Sequence, residues 1–273
     1  MEKLDMSKHG RYVSDRRLHL LKGYPGLQFG GLFNGKSYGH ILAKKEDVVR
    51  LLIDVRMQSV SACKALFGGR LRFQRCAHHV NSSQIMCLNF FGPQLLTREN
   101  ILKDILCKAG IALKGRILCA DEGYSQFEYQ PTLSGDRTNF DLRICTDEKE
   151  EIFVEVKYTE NEFGKPTKGS LKDSEWKFYS QLCKKSLYLK GISREAFYSD
   201  FQVNRNIAHV TNYKQYCVFF VPRSNPSLKF PNLNGMRNVS VLYAEDFAGL
   251  VDRCADHLKF KPYYHRLHEM YFG

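Results

Sequence analysis

The stretch that decides the fold is TNFDLRICTDEKEEIFVEVKYTE, residues 138–160. Both halves alternate with a period of two. In the first run Phe140, Leu142 and Ile144 fall on one side and Asp141, Arg143 and Cys145 on the other. In the second, Ile152, Val154, Val156 and Tyr158 form an apolar face while Phe153, Glu155 and Lys157 point away. The intervening TDEKE is polar and short, suiting a hairpin loop better than a crossover to a parallel strand. A loop centred on Glu148 sets Asp141 directly opposite Glu155. Every register that keeps both apolar sets on one face also keeps Asp141, Glu155 and Lys157 together.

This placement has an electrostatic cost. Side chains opposite each other in an antiparallel pair have Cβ atoms roughly 4.5–5.5 Å apart, and like charges there destabilise the sheet. Lys157 compensates in part. A divalent cation can do the rest, because hard ions such as Mg²⁺ favour carboxylate, carbonyl and water oxygens. Two carboxylates, a cation and an ammonium on a rigid sheet can bind a phosphodiester, lower the pKa of a water and stabilise charge that develops during attack. Glu-x-Lys alone carries little information, since ordinary residue usage gives about one such triplet in a chain of this length. The aspartate on the partner strand and the flanking apolar face are what give it weight.

An Asp followed after about a dozen residues by Glu-x-Lys, on successive antiparallel strands, resembles the PD-(D/E)xK, or restriction-endonuclease-like, phosphodiesterase superfamily. The segments NSSQIMCLNFFGP (81–93), FEYQP (127–131), RTNFD (137–141), EVKYTE (155–160) and QVNRNIAH (202–209) are similar, in this order, to the signature blocks of one branch of its predicted nucleases. The resemblance implies an α/β fold with a restriction-endonuclease-like αβββαβ core, a central mixed sheet flanked by helices. It implies that Asp141 and Glu155 hold Mg²⁺ or Mn²⁺, and that Lys157 positions the attacking water or stabilises the pentacovalent phosphate. Phe140 stands where the superfamily's name has proline. An early acidic residue is also expected, either Glu99 on a helix or Glu128 on the preceding strand, with Glu128 preferred because it lies inside a matching block. Gln202, Arg205 and Asn206 would lie on the helix after the hairpin, its polar face toward the metal water or the phosphate; for Arg205 an ordinary surface ion pair is the competing reading. The expected catalytic set is therefore Asp141, Glu155, Lys157, Glu128, Gln202 and Arg205.

A chain of 273 residues can build a sizeable core. The expected organisation is an extension over 1–80 packed on a nuclease-like domain over 81–273. Forty-one Lys plus Arg against twenty-nine Asp plus Glu leave a formal charge of +12, which favours an anionic partner: nucleic acid, DNA first. Cutting both strands of a duplex would be simplest for a homodimer. Two functions stand: a metal-dependent nuclease, or a nucleic-acid-binding or regulatory module that keeps the fold without turnover. Nine cysteines without a C-x-x-C pair suggest a reducing compartment. Cys76, His78 and His79 in CAHH lack the second half of a zinc site. No run reads as a signal peptide or a membrane span, so the protein is expected to be soluble and cytoplasmic.

Helical spacing at Val48, Leu51, Leu52 and Val55 predicts one helix stopping at Gly68-Gly69. A second runs from Ser82 to Gly92-Pro93, and a third from a Thr97 cap to Gly110. GKS at 35–37 lies in a stretch of turns and short strands and lacks the spacing of a phosphate loop. After the hairpin, 161–173 reads as a loop. The next helix, from Ser174, carries Trp176, Tyr179, Cys183 and Leu187 on one stripe and Lys177, Lys184 and Lys185 on another. Strands at YCVFFVP and 239–244 follow, and Phe247 to Leu258 closes the chain as an amphipathic helix.

Overall fold

The computed structural model describes residues 7–69, 72–131, 138–166, 173–254 and 257–273. Helix α1 (Lys8–Gly23) starts where the Ser7 side chain accepts from the Gly10 amide. It leads to the strands β1 (Leu32–Phe33) and β2 (Lys36–Ser37), joined by Asn34 and Gly35, both at positive φ (50° and 78°). That two-residue turn matches the twist of a hairpin and places GKS in a hairpin with no α-helix opening at its end, the next one beginning at Val60.

The single helix expected across 48–68 is broken. Two 3₁₀ turns, Lys45–Leu51 and Val55–Gln58, precede a short α2 (Val60–Leu66). Side chains satisfy the backbone between them: Asn89 accepts from the Ile53 amide and donates to the Leu51 carbonyl, and Gln58 donates to the Leu52 carbonyl. Helix α3 (Ser83–Leu95) is capped by Ser82 as predicted, but it runs past Gly92-Pro93. Pro93 has no amide to offer the carbonyl of Asn89 four residues back. That carbonyl instead accepts the Tyr263 hydroxyl at 2.8 Å, and the Phe90 carbonyl accepts that of Tyr264 at 2.7 Å. Helix α4 (Leu102–Lys108) begins later than the Thr97 cap predicted, and Gly110 (φ 90°) ends it.

Three antiparallel strands follow: β3 (Gln126–Tyr129), β4 (Phe140–Cys145) and β5 (Glu151–Val156). Helices α5 (Asp173–Lys185), α6 (Arg194–Ser199) and α7 (Phe201–Ala208) carry the chain to β6 (Gln215–Val221), parallel to β5, and β7 (Val239–Tyr243) lies parallel beyond it. The five-stranded mixed sheet has the order β3-β4-β5-β6-β7. With α3 before it and α5 to α7 inside it, this is the αβββαβ core of the restriction-endonuclease-like fold. Leu187 lies past the end of α5, where its amide pairs with the Val210 carbonyl, so the predicted stripe stops at Cys183. The closing helix expected from Phe247 to Leu258 ends as α8 (Phe247–Asp252), residues 255–256 lying outside the described ones, and the sequence pattern does not announce α9 (Lys261–Phe272), which carries Pro262 in its first turn.

One sheet face packs Leu142, Ile144, Ile152, Val154, Val156 and Phe220 against α3, α8 and α9, with Leu20, Leu51 and Leu66 from the first eighty residues in the same cluster. The other face packs Phe219 and Val221 against α5, α6 and α7. His78 and His79 pack beside Phe33 and His40, with the His79 ring 5.6 Å from that of His40. Burial lowers His40 to about 3 and His79 to about 4, so these imidazoles are neutral at pH 7. No helix among the described residues is long and apolar enough to cross a membrane.

The Pro93 arrangement is testable by a double-mutant cycle. Tyr263→Phe leaves the Asn89 carbonyl unpaired and should cost about 1–3 kcal/mol in urea unfolding. Pro93→Ala restores an amide to that carbonyl, so the double variant should lose less than the sum of the single losses.

Candidate active site

The hairpin turn sets the site. Thr146 and Glu150 close it, the Thr146 amide donating to the Glu150 carbonyl at 3.0 Å, while Lys149 takes the left-handed position (φ 61°). Leu142 then pairs with Val154, Arg143 with Phe153 and Ile144 with Ile152. This is the register centred on Glu148, and continued by one residue it sets Asp141 against Glu155. On the other side of β4, Phe127 pairs with Leu142 and Tyr129 with Phe140, so Glu128 lies opposite Asp141. Glu128, Asp141 and Glu155 therefore form a row across three neighbouring strands.

The row distorts the sheet. Glu128 has φ 52°, which a side chain rarely adopts and which costs of order 1 kcal/mol or more. Asp141 Oδ2 accepts from the Val156 amide at 2.7 Å, a carboxylate taking the place of a ladder carbonyl. Beyond this point the alternation changes face. Phe140, expected beside Leu142 and Ile144, stacks instead on Phe153 at 4.7 Å and meets His209 at 5.2 Å. Tyr129 joins the same group, 6.2 Å from Phe153, whereas Phe127 two residues earlier stays in the other core.

Each carboxylate has its own set of donors. Glu155, buried at 2 % exposure, takes Lys157 Nζ on Oε1 at 2.9 Å and the Asn206 amide on Oε2 at 2.9 Å. The Gln202 side chain also donates to Oε1, and its own oxygen accepts from the Gly164 amide. Glu128 accepts from Gln74 (2.9 Å), Gln84 (2.7 Å) and Asn139. The Glu160 carboxylate accepts from the Tyr158 amide, and the Tyr158 carbonyl takes the Tyr12 hydroxyl and the Asn225 amide, fixing the chain just past Lys157.

The charges are strongly coupled. Desolvation first, and the negative charge of Glu155 next, push the Asp141 carboxyl well above the usual range. Burial also raises Glu128, against the pull of its three amide donors. For Lys157, burial alone would depress the ammonium, but Glu155, Glu160 and Asp141 outweigh it and hold the pKa above its ordinary value. A cation between Asp141 and Glu155 would relieve the repulsion that the sheet imposes. The donor set fits a hard ion: beside the carboxylates lie Asn139 and Asn206, whose side-chain oxygens are buried with no hydrogen-bond partner among the described residues.

The remaining candidates divide. Gln202 reaches Glu155 directly. Arg205, three residues on, lies with its guanidinium over the Phe201 ring (5.5 Å) and its Nε buried without an acceptor among the described residues. Glu99 is not on a helix but in the bend before α4, where it pairs with Lys259 at 2.7 Å. Glu128 is thus the acidic residue brought beside Asp141. Sequence reasoning missed Gln74, Gln84 and Asn139. Gln84 and Asn139 sit inside the blocks quoted above, polar residues next to apolar ones; Gln74 carries no local signal.

The mixed sheet, its flanking helices and a carboxylate row ending in Glu-x-Lys define a protein of the restriction-endonuclease-like class. The model of one family, restriction endonuclease associating with ARP, matches residues 24–272, and the chain belongs to that family. No curated protein and no solved structure matches the chain.

The raised Asp141 pKa has a definite sign. The folded protein binds this proton more tightly than the unfolded chain, so the ionised group costs stability above its folded pKa and the cost disappears as pH falls through it. Asp141→Asn keeps an acceptor for the Val156 amide and should melt higher than the wild type at pH 7 without metal. The gain should be about 2–4 °C for each kcal/mol of repulsion removed, and the two curves should converge on acidification.

Proposed function

We propose that this protein is a metal-dependent phosphodiesterase that cleaves nucleic acid, DNA first, with Mg²⁺ or Mn²⁺ held by Asp141 and Glu155. The observation that carries the reading is the juxtaposition of Asp141 and Glu155, one residue beyond the Leu142–Val154 pair and close enough for the charge of one to act on the other, with Lys157 Nζ 2.9 Å from Glu155. Membership of a restriction-endonuclease family and the formal charge of +12 support it.

Bound there, the ion would activate a water for in-line attack and neutralise charge on the phosphate. The chain's own residues do the rest. Lys157, kept protonated by its carboxylate neighbours, lies where it can orient the nucleophile and stabilise charge on the phosphorane oxygens. Gln202 and Asn206 fix the Glu155 carboxylate in one orientation, and the amide cradle of Gln74, Gln84 and Asn139 does the same for Glu128, the third acidic group. The Arg205 guanidinium, on the same helix as Gln202, would supply positive charge toward the phosphate, its buried Nε having no acceptor among the described residues. An inactive binding module is the weaker reading, because it has no use for buried carboxylates that destabilise the sheet. Nine cysteines, none in a disulfide among the described residues, suit a reducing compartment such as the cytoplasm, and a homodimer would place two such sites for cutting both strands of a duplex.

Cleavage of supercoiled plasmid and of labelled single strands in Mg²⁺, Mn²⁺ and EDTA tests the reading. Wild type should cut only with metal. Glu155→Ala/Lys157→Ala should lose at least about a hundredfold, the scale of removing one preorganised charge-stabilising group. Metal-independent cutting, or an active double variant, refutes it. Arg205→Ala should retain metal binding and cut more slowly.

A further inference from the structure

Beside the carboxylate row lies a cleft of about 300 Å³, between the chain that leaves Lys157 and the start of α7. Phe163 and Phe201 form its apolar wall. Both rings are 9 % exposed and pack on others: Phe163 on Phe219 and Phe230, at 5.6 and 4.9 Å, and Phe201 on Tyr198, at 5.4 Å, with the Arg205 guanidinium 5.5 Å from its centre. The Asn161 amide and the Asp200 carboxylate supply donors and acceptors, and Lys165 and Lys229 supply positive charge at the rim. Lys165 pairs with Glu162, also at the rim. That contact is exposed, so it contributes little and is readily exchanged for a phosphate.

Such chemistry matches a nucleotide: a flat, largely apolar ring with polar edges, joined to an anion. A stacked duplex cannot insert a base into a cleft of this size, whereas an unpaired or extruded nucleotide can. The position is equally specific. Gly164 in the cleft wall donates to Gln202, whose amide donates to Glu155, so one side chain separates this cleft from the candidate metal ligand.

We propose that the cleft receives one unpaired nucleotide adjoining the phosphate to be cut, so that the preferred substrate carries an unpaired nucleotide at the cleavage point. The proposal rests on the nuclease reading and specifies its substrate. Occupation of the cleft would also act on the site itself, since any shift of Gly164 is passed through Gln202 to Glu155.

Binding and cleavage test it separately. In EDTA, where nothing is cut, a single strand containing 2-aminopurine should bind more tightly than the matching perfect duplex by about tenfold, within the range that burying one base provides. Its fluorescence should change on binding. Asn161→Trp fills the cleft from an exposed position and should abolish the preference, as should Lys229→Ala in large part. Lys190→Ala, an exposed lysine elsewhere, should leave it intact. Melting temperatures confirm that each variant is folded. Equal binding of single strand and duplex by the wild type, or a preference unchanged in both cleft variants, overturns the proposal. Cleavage in Mn²⁺ then separates the two claims. A protein that shows the preference and cuts nothing keeps the cleft and loses the nuclease, whereas one that cuts both substrates equally keeps the nuclease and loses the cleft.

Discussion

Three carboxylates aligned across neighbouring strands repel one another, and much of this molecule is arranged around that repulsion. Asp141 and Glu155 face each other because the β4–β5 register leaves no alternative that also buries Leu142, Ile144, Ile152 and Val154. Glu128 enters the row from β3 in a backbone conformation that disfavours any side chain. A sheet gains nothing from such a row by itself. Unfavourable charge of this kind clusters at functional sites, and the cation proposed above would relieve it.

The flanking elements are placed to hold the row. From one side α3 brings Gln84 to Glu128, and its buried Cys87 lies close enough for the carboxylates to raise its pKa further. From the other, α7 brings Gln202 and Asn206 to Glu155. The N-terminal segments contribute as well: Gln74 completes the Glu128 cradle and Tyr12 on α1 anchors the carbonyl after Lys157. Residues far apart in sequence thus fix three charges at one end of the sheet. Preorganisation of this kind is what allows a charged site to act without rearranging during the reaction.

The hairpin was legible because alternation and loop length together leave little choice of register, and the αβββαβ order was implied by the superfamily resemblance of the blocks around it. Parity failed at Phe140, where the unusual Glu128 backbone and the Asp141 contact to the Val156 amide change the face on which the next rings lie. Nothing in the local pattern announces that change. The helix through Pro93 was misread for a similar reason, since the hydroxyl that rescues the Asn89 carbonyl arrives from Tyr263, 174 residues away. α1 and α9 are mostly polar stretches, helical and packed against each other with no strong periodic stripe to betray them. Of the site, Asp141, Glu155 and Lys157 could be read from residue type and spacing, whereas Glu128 and Gln202 came only with the superfamily resemblance. The amides around Glu128 depend on tertiary contacts that spacing does not encode.

The central claim is that Asp141 and Glu155 form a cation site. The most direct test is Mn²⁺ binding, followed by calorimetry and by water-proton relaxation, on the wild type and on Glu155→Gln, in the absence of nucleic acid. The account predicts saturable binding by the wild type, competition by Mg²⁺, and loss of that binding in the variant while it remains folded. Equal binding by both proteins, or none by a folded wild type, would contradict it.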